Sequence, residues 1–281
     1  MPNLLNMVKK EFQDLISSRM VLVILLGFFV IILFHVYYSY TTLSSGMGSQ
    51  LKYGSNIGLA LANWLLSVLA TYFGPIVGVM IGCTSIANER HKNTINTLLV
   101  KPLFRDTIIN GKIIGSLMFL ALIIGVSIAF YTSCVLVLCG DSLASTFYDY
   151  MSRLPFVFFI SLILISIFLV GSMLISLLIK NQAFALIIGT ILVYISNYIY
   201  TADFVISMAH VFPEYGNSII NLVINFTPTG PLVNIRNYLF TESISIISAS
   251  QYIFPEIVKF LFFIIILCVL CYIIFIRSDV A

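Results

Sequence analysis

The side chains able to do chemistry are few in this sequence, and most of them sit together. Between 88 and 112 the chain reads NERHKNTINTLLVKPLFRDTIINGK, which gathers Glu89, Arg90, Lys92, Lys101, Arg105, Asp106 and Lys112 in one stretch. Elsewhere charge is scarce: 60% of the 281 residues are hydrophobic and only 9% are charged. The pattern over 88–104 is that of a short amphipathic helix, with mixed charge on one side and Ile95, Leu98 and Leu99 on the other. It stops at Pro102, which has no amide hydrogen to give to a helix interior. Mixed charge on a rigid helix is suited to docking a partner rather than to making or breaking bonds.

Reacting constellations are missing. The one Gly-Lys pair, Gly111-Lys112, is followed by Ile113 and lacks the upstream glycine of a phosphate-binding loop, so the chain has no nucleotide site of its own. No H-E-x-x-H, paired-aspartate or G-x-S-x-G motif supplies a protease or lipase. The three histidines, His35, His91 and His210, are scattered. Cys268 and Cys271 share a helix face at i, i+3, a spacing open to a soft metal but commoner as simple packing. No catalytic, cofactor or metal site is therefore expected, and nothing suggests a nucleic-acid partner.

The elements that must position the charged stretch are membrane spans. A mean hydropathy of +1.08 excludes an ordinary soluble domain, in which about 25% of residues are charged. The expected fold is an all-α polytopic membrane protein, a single domain over 1–281. Its apolar runs fall at about 20–40, 60–87, 113–139, 154–179, 183–202 and 257–276. Ahead of them, residues 3–18 alternate at helical spacing. Val8, Phe12 and Leu15 share an apolar side, and Lys9 and Lys10 stand opposite, as in an interfacial helix facing anionic headgroups. Gly74-Pro75 is expected to kink the second span, and Asp141 to Arg153 to form a short loop on the far side. Residues 203–256 carry apolar runs too short to cross, broken by Pro213, Pro228, Pro231 and Pro255, and read as re-entrant or interfacial helices.

Charge sets the orientation. With 88–112 in the cytoplasm, Lys9, Lys10, Arg19, Arg90, Lys92, Lys101, Arg105, Lys112, Lys180 and Arg277 lie inside, while Lys52, Arg153, Arg236 and Lys259 lie outside. That bias puts both termini in the cytoplasm. Ionisable groups at membrane depth read as almost absent, since His35, Asp203 and Lys259 fall near span ends. An ion-coupled pump is thereby disfavoured, and the energy source is expected to lie outside this chain.

The charged stretch resembles the cytoplasmic loop of permease subunits in the type-2 ABC transporter family. An acidic residue, a basic cluster, a threonine, two leucines, a proline, a basic residue and a glycine-lysine pair follow one another as Glu89, Arg90 and Lys92, Thr94, Leu98-Leu99, Pro102, Arg105 and Gly111-Lys112. Asn93 stands where the family usually has glycine. The resemblance implies that this loop is a coupling helix between spans two and three, docking on a separate ABC ATPase that binds ATP-Mg. It further implies six transmembrane helices, re-entrant helices before the sixth, and a second permease, identical or paralogous, in an exporter of a prokaryotic plasma membrane. Membrane lipids surround the spans, whose aromatic, weakly charged character suits an amphipathic cargo better than a small ion. The competing classes are a stand-alone channel or scaffold and a membrane-embedded lipid-modifying enzyme. The first has no use for a docking loop, and the second lacks reacting groups.

Overall fold

The computed structural model describes residues 2–44, 56–91, 105–179, 181–199, 204 and 227–277. Every element among the described residues is helical. Helix α1 (Pro2–Ser17) is followed after Ser18 by α2 (Arg19–Ser44). Next come α3 (Ile57–Leu66), a π-helical segment (Ser67–Tyr72) and α4 (Gly74–His91). Helix α5 (Arg105–Leu143) meets α6 (Phe147–Leu178) through a 3₁₀ turn, Ala144–Thr146. Three more follow: α7 (Gln182–Tyr198), α8 (Gly230–Leu239) and α9 (Ile246–Arg277).

Among the described residues, four stretches are long and apolar enough to cross a membrane, Val21–Ser44, Ile57–Ile86, Thr107–Leu178 and Ile246–Phe275, and the shorter α7 is apolar as well. At 1.5 Å per residue the 72 residues of Thr107–Leu178 would far exceed a bilayer, so the 3₁₀ turn divides them into two helices packed against each other. Helix α6 is the hub. It packs on α3, α4, α5, α7 and α9, and Val157, Ile160, Leu164, Leu169 and Met173 are wholly enclosed. Helices α2 and α9 instead turn much apolar surface outward, including Leu22, Val23, Phe34, Phe262 and Ile265. In water such faces would be costly, whereas in hydrocarbon they are at home.

Close approach of α4 to α6 depends on absent side chains. Gly74, Gly78 and Gly82 recur every four residues on one side of α4. A Cβ at Gly78 would lie 2.7 Å from Ile165 Cγ2 and 2.9 Å from its carbonyl oxygen, and one at Gly82 would collide with Ser172 Oγ and the Leu169 carbonyl. Helices in lipid gain little from hydrophobic association, so intimate packing over small residues takes its place.

Several boundaries differ from the sequence expectation. The second span is interrupted rather than kinked: the chain passes through the π segment at Ser67–Tyr72, where Phe73 N–H reaches the Val68 carbonyl at 3.3 Å. Pro75 then falls in the first turn of α4, where a missing amide hydrogen breaks no helical bond. The far-side loop of 141–153 contracts to Ala144–Thr146, because its polar groups find partners inside the protein. Asn56 caps α3 by accepting from Leu59 N–H at 3.1 Å, and its amide donates to Asp149 Oδ2 at 2.7 Å. Gly58 N–H donates to Thr146 Oγ1 at 3.0 Å. The last helix starts at Ile246, not 257, and runs through Pro255. Helix α8, ten residues long, is too short to cross a bilayer. Residues 205–226 of that segment, with Pro213, lie outside the described residues.

Replacing Gly78 with leucine is expected to destabilise the protein by about 1–3 kcal/mol through overpacking. Gly140→Ala, where a Cβ meets nothing within 4 Å, should be neutral or slightly stabilising. Thermal unfolding in detergent measures both, and equal stability of the two variants would contradict the packing described.

Candidate coupling site

Helix α1 buries one side, formed by Met7, Val8, Glu11 and Leu15 with Phe12 half-buried, and leaves Lys9 and Lys10 exposed. It lies against the early turns of α5. The seat is again made by glycine: a Cβ at Gly111 would stand 2.7 Å from Met7 Cβ, and one at Gly115 would stand 2.8 Å from Glu11 Cβ. Phe12 meets the Phe119 ring edge to face at 5.7 Å.

At the centre of this contact is a buried ion pair. Lys112 Nζ donates to Glu11 Oε2 at 2.9 Å and to the Ser85 carbonyl of α4 at 2.8 Å. Ser85 Oγ in turn donates to Glu11 Oε1 at 2.5 Å. Lys112 is 1% exposed and Glu11 7%. Charges this deep persist only when paired and hydrogen-bonded, and here each carboxylate oxygen has its own donor. Three elements are joined at one point: helix α1, the helix entering the charged stretch and the helix leaving it.

The residues singled out from sequence fall unevenly around this point. Glu89 and Arg90 lie in the last turns of α4, and Arg105 opens α5. Lys92, Thr94, Leu98, Leu99 and Pro102 lie outside the described residues. Lys112 is turned inward as the anchor for α1 rather than outward as docking surface. Glu11 and Ser85 escaped the sequence reading. The signal was present in Glu11, which stands three residues after Val8 and four before Leu15, so that an acid interrupts the apolar side of the helix. An acid in that register requires a buried cation, and Lys112 is the one that meets it.

A second polar cluster lies where α6, α7, α8 and the π segment meet. Arg153, assigned by sequence to the far-side loop, lies in α6 and is 4% exposed. Its Nε donates to the Leu239 carbonyl at 2.9 Å, at the end of α8, and Nη2 approaches the Ile244 carbonyl at 3.5 Å. Arg236 of α8 reaches the π segment, donating from Nη2 to Ser67 Oγ at 2.9 Å and to Thr71 Oγ1 at 2.7 Å. Asn197 Nδ2 donates to the Thr71 carbonyl at 2.6 Å. A π turn displaces carbonyls from the regular ladder, and polar side chains from α7 and α8 engage this one. Glu256, on α9, accepts from Asn234 Nδ2 at 3.0 Å and lies 2.9 Å from Lys259 Nζ. Both arginines and Glu256 lie more than 40 residues from the charged stretch that dominates the sequence, which is why local reading passes over their partners.

No group of three or more His, Cys, Asp or Glu able to hold a metal occurs among the described residues. Cys271 is buried, with Sγ 3.6 Å from the Val170 carbonyl.

A family model described as ABC-2 family transporter protein matches residues 5–280. The chain belongs to the ABC-2 transporter family. It is a multi-pass membrane protein and the permease component of an ABC transporter. Members form the membrane part of the transporter and are generally not themselves catalytic, and membership implies an ABC ATPase subunit as partner. A search of the curated proteins returns no match.

Removing one member of the buried pair in this permease leaves the other charge stranded. Lys112→Met alone is therefore expected to cost about 3–5 kcal/mol, whereas Glu11→Leu with Lys112→Met should recover most of that loss. Unfolding of the single and double variants measures the coupling, and additive losses would show that the two groups act independently.

Proposed function

We propose that this permease works as one of a pair, identical or paralogous, in an ATP-driven exporter of a prokaryotic plasma membrane. It crosses the membrane six times, with both termini in the cytoplasm. The six crossings are α2, the interrupted α3–α4, α5, α6, α7 and α9. Residues 88–104 dock on the ABC ATPase that binds ATP-Mg, and the 203–256 segment, α8 included, re-enters the membrane at the far side.

The observation that carries this reading is the Glu11–Lys112–Ser85 junction. It ties α1 to Ser85, near the end of α4, and to Lys112, near the start of α5, the helices between which residues 92–104 lie. A push on that loop therefore meets a braced assembly instead of two independent helix ends. Rigid coupling needs such bracing, because a loop free to rearrange absorbs a displacement locally. The positive-inside count of the sequence supports the same orientation. Outward transport then uses motion of α4 and α5 against the hub α6. At the far side, the π segment held by Arg236 links the broken second span to α8.

Replacement of Leu98 and Leu99 by glutamate should abolish co-purification of the ATPase while leaving membrane insertion intact. Membrane fractionation and a pull-down of the tagged permease read the two properties separately. Retained association in that variant would overturn the docking assignment. Glu11→Gln should keep the ATPase bound but lower ATP-driven export, since the docking surface survives and the brace does not.

A further inference from the structure

A cavity of about 360 Å³ opens between α6 and α7, bordered by Val79 of α4 and Leu267 of α9. Phe168, Gly171, Gly189 and Leu192 form much of its wall, which is almost wholly apolar. Few polar groups touch it, and two of its hydroxyls are already engaged: Ser172 donates to the Leu169 carbonyl at 2.8 Å, and Ser196 pairs with Thr229 at 3.2 Å. Water needs two to four polar partners and finds few here. At the same time, a void of this size forfeits the dispersion contacts of every atom lining it.

The mouth decides the occupant. Leu192 and Ile195 line the cavity and also belong to the outward apolar surface of α7, with 48% and 46% of their area exposed. The cavity is thus continuous with a face that meets hydrocarbon. Helices α6 and α7 stay packed on each other beside it, so a flexible chain fits where a helix about 10 Å across would have to part them.

We propose that this cavity is a binding site for one acyl chain of a bilayer phospholipid, held between α6 and α7. Gly171 and Gly189 create the room. A Cβ at Gly189 would stand 2.5 Å from Val79 Cγ1, so that glycine also sets how closely α7 approaches α4. Gly171 differs: a Cβ there meets only Leu267 Cδ1, at 3.9 Å, an ordinary contact. A larger side chain at 171 enters the cavity without displacing backbone. The site depends on the chain lying in a bilayer and not on the direction of transport or on the docking loop, so failure of either reading leaves the other standing.

The test uses membranes containing the full transporter, loaded with a phosphatidylglycerol that carries a diazirine midway along one acyl chain. After irradiation, labelled peptides are mapped by mass spectrometry. Label is expected to concentrate on 167–175 and 189–199 above the level on the outward face of α2. Gly171→Leu should lose the cavity label while keeping the α2 label and its thermal stability. Gly27→Leu, where a Cβ meets nothing within 4 Å on α2, should keep both. Should Gly171→Leu fail to accumulate, Leu192→Trp blocks the mouth and should lose the same label. Cavity label no stronger than that on α2, or undiminished label in a folded blocking variant, would overturn the assignment.

Discussion

The buried pair between Glu11 and Lys112 is the constraint around which α1, α4 and α5 of this permease are arranged. Neither charge tolerates that depth alone, and Ser85 supplies both a carbonyl for the ammonium and a hydroxyl for the carboxylate. Because the three residues come from α1, α4 and α5, satisfying them fixes three helices relative to one another. Glycine makes it possible, since the short reach of the carboxylate requires the backbones at Gly111 and Gly115 to approach α1 closely.

The same economy recurs toward the hub. Helix α4 meets α6 through Gly74, Gly78 and Gly82, where contact depends on what the residues lack. Far from that junction, Arg153 and Arg236 tie α8 to α6 and to the π segment through carbonyl and hydroxyl acceptors. A guanidinium withdrawn from water within a membrane protein is costly unless engaged; Arg153 is buried and Arg236 partly buried, and each is engaged by a feature that would otherwise leave polar backbone or hydroxyls in an apolar setting. The irregular second span and the short helix α8 are thus complementary. The interrupted helix offers acceptors that α8 and α7 meet.

Much of the architecture is legible in composition. Apolar runs of span length, the amphipathic division of α1 and the charged interruption at 88–112 each follow from local periodicity, and the family assignment over residues 5–280 agrees with that reading. Helix ends were less legible. Tyr150 and Arg153 sit in a polar-looking stretch that reads as loop, yet both are buried, because Thr132 and the Leu239 carbonyl provide partners distant in sequence. Pro75 reads as a kink within a span, while the change of geometry lies just before it, at Ser67–Tyr72.

By itself the sequence determined that this chain is helical, lies in a membrane and has its charge concentrated between two apolar runs. Those properties depend on residue type and short-range spacing, which a linear reading preserves. Only the tertiary structure decided that Lys112 faces inward to Glu11 rather than outward, that Arg236 belongs to the π segment, and that Gly171 leaves an empty space instead of closing one. Each of these depends on which side of a helix meets which neighbour. That is set by packing among residues from about 30 to 170 positions apart, and no local pattern encodes it.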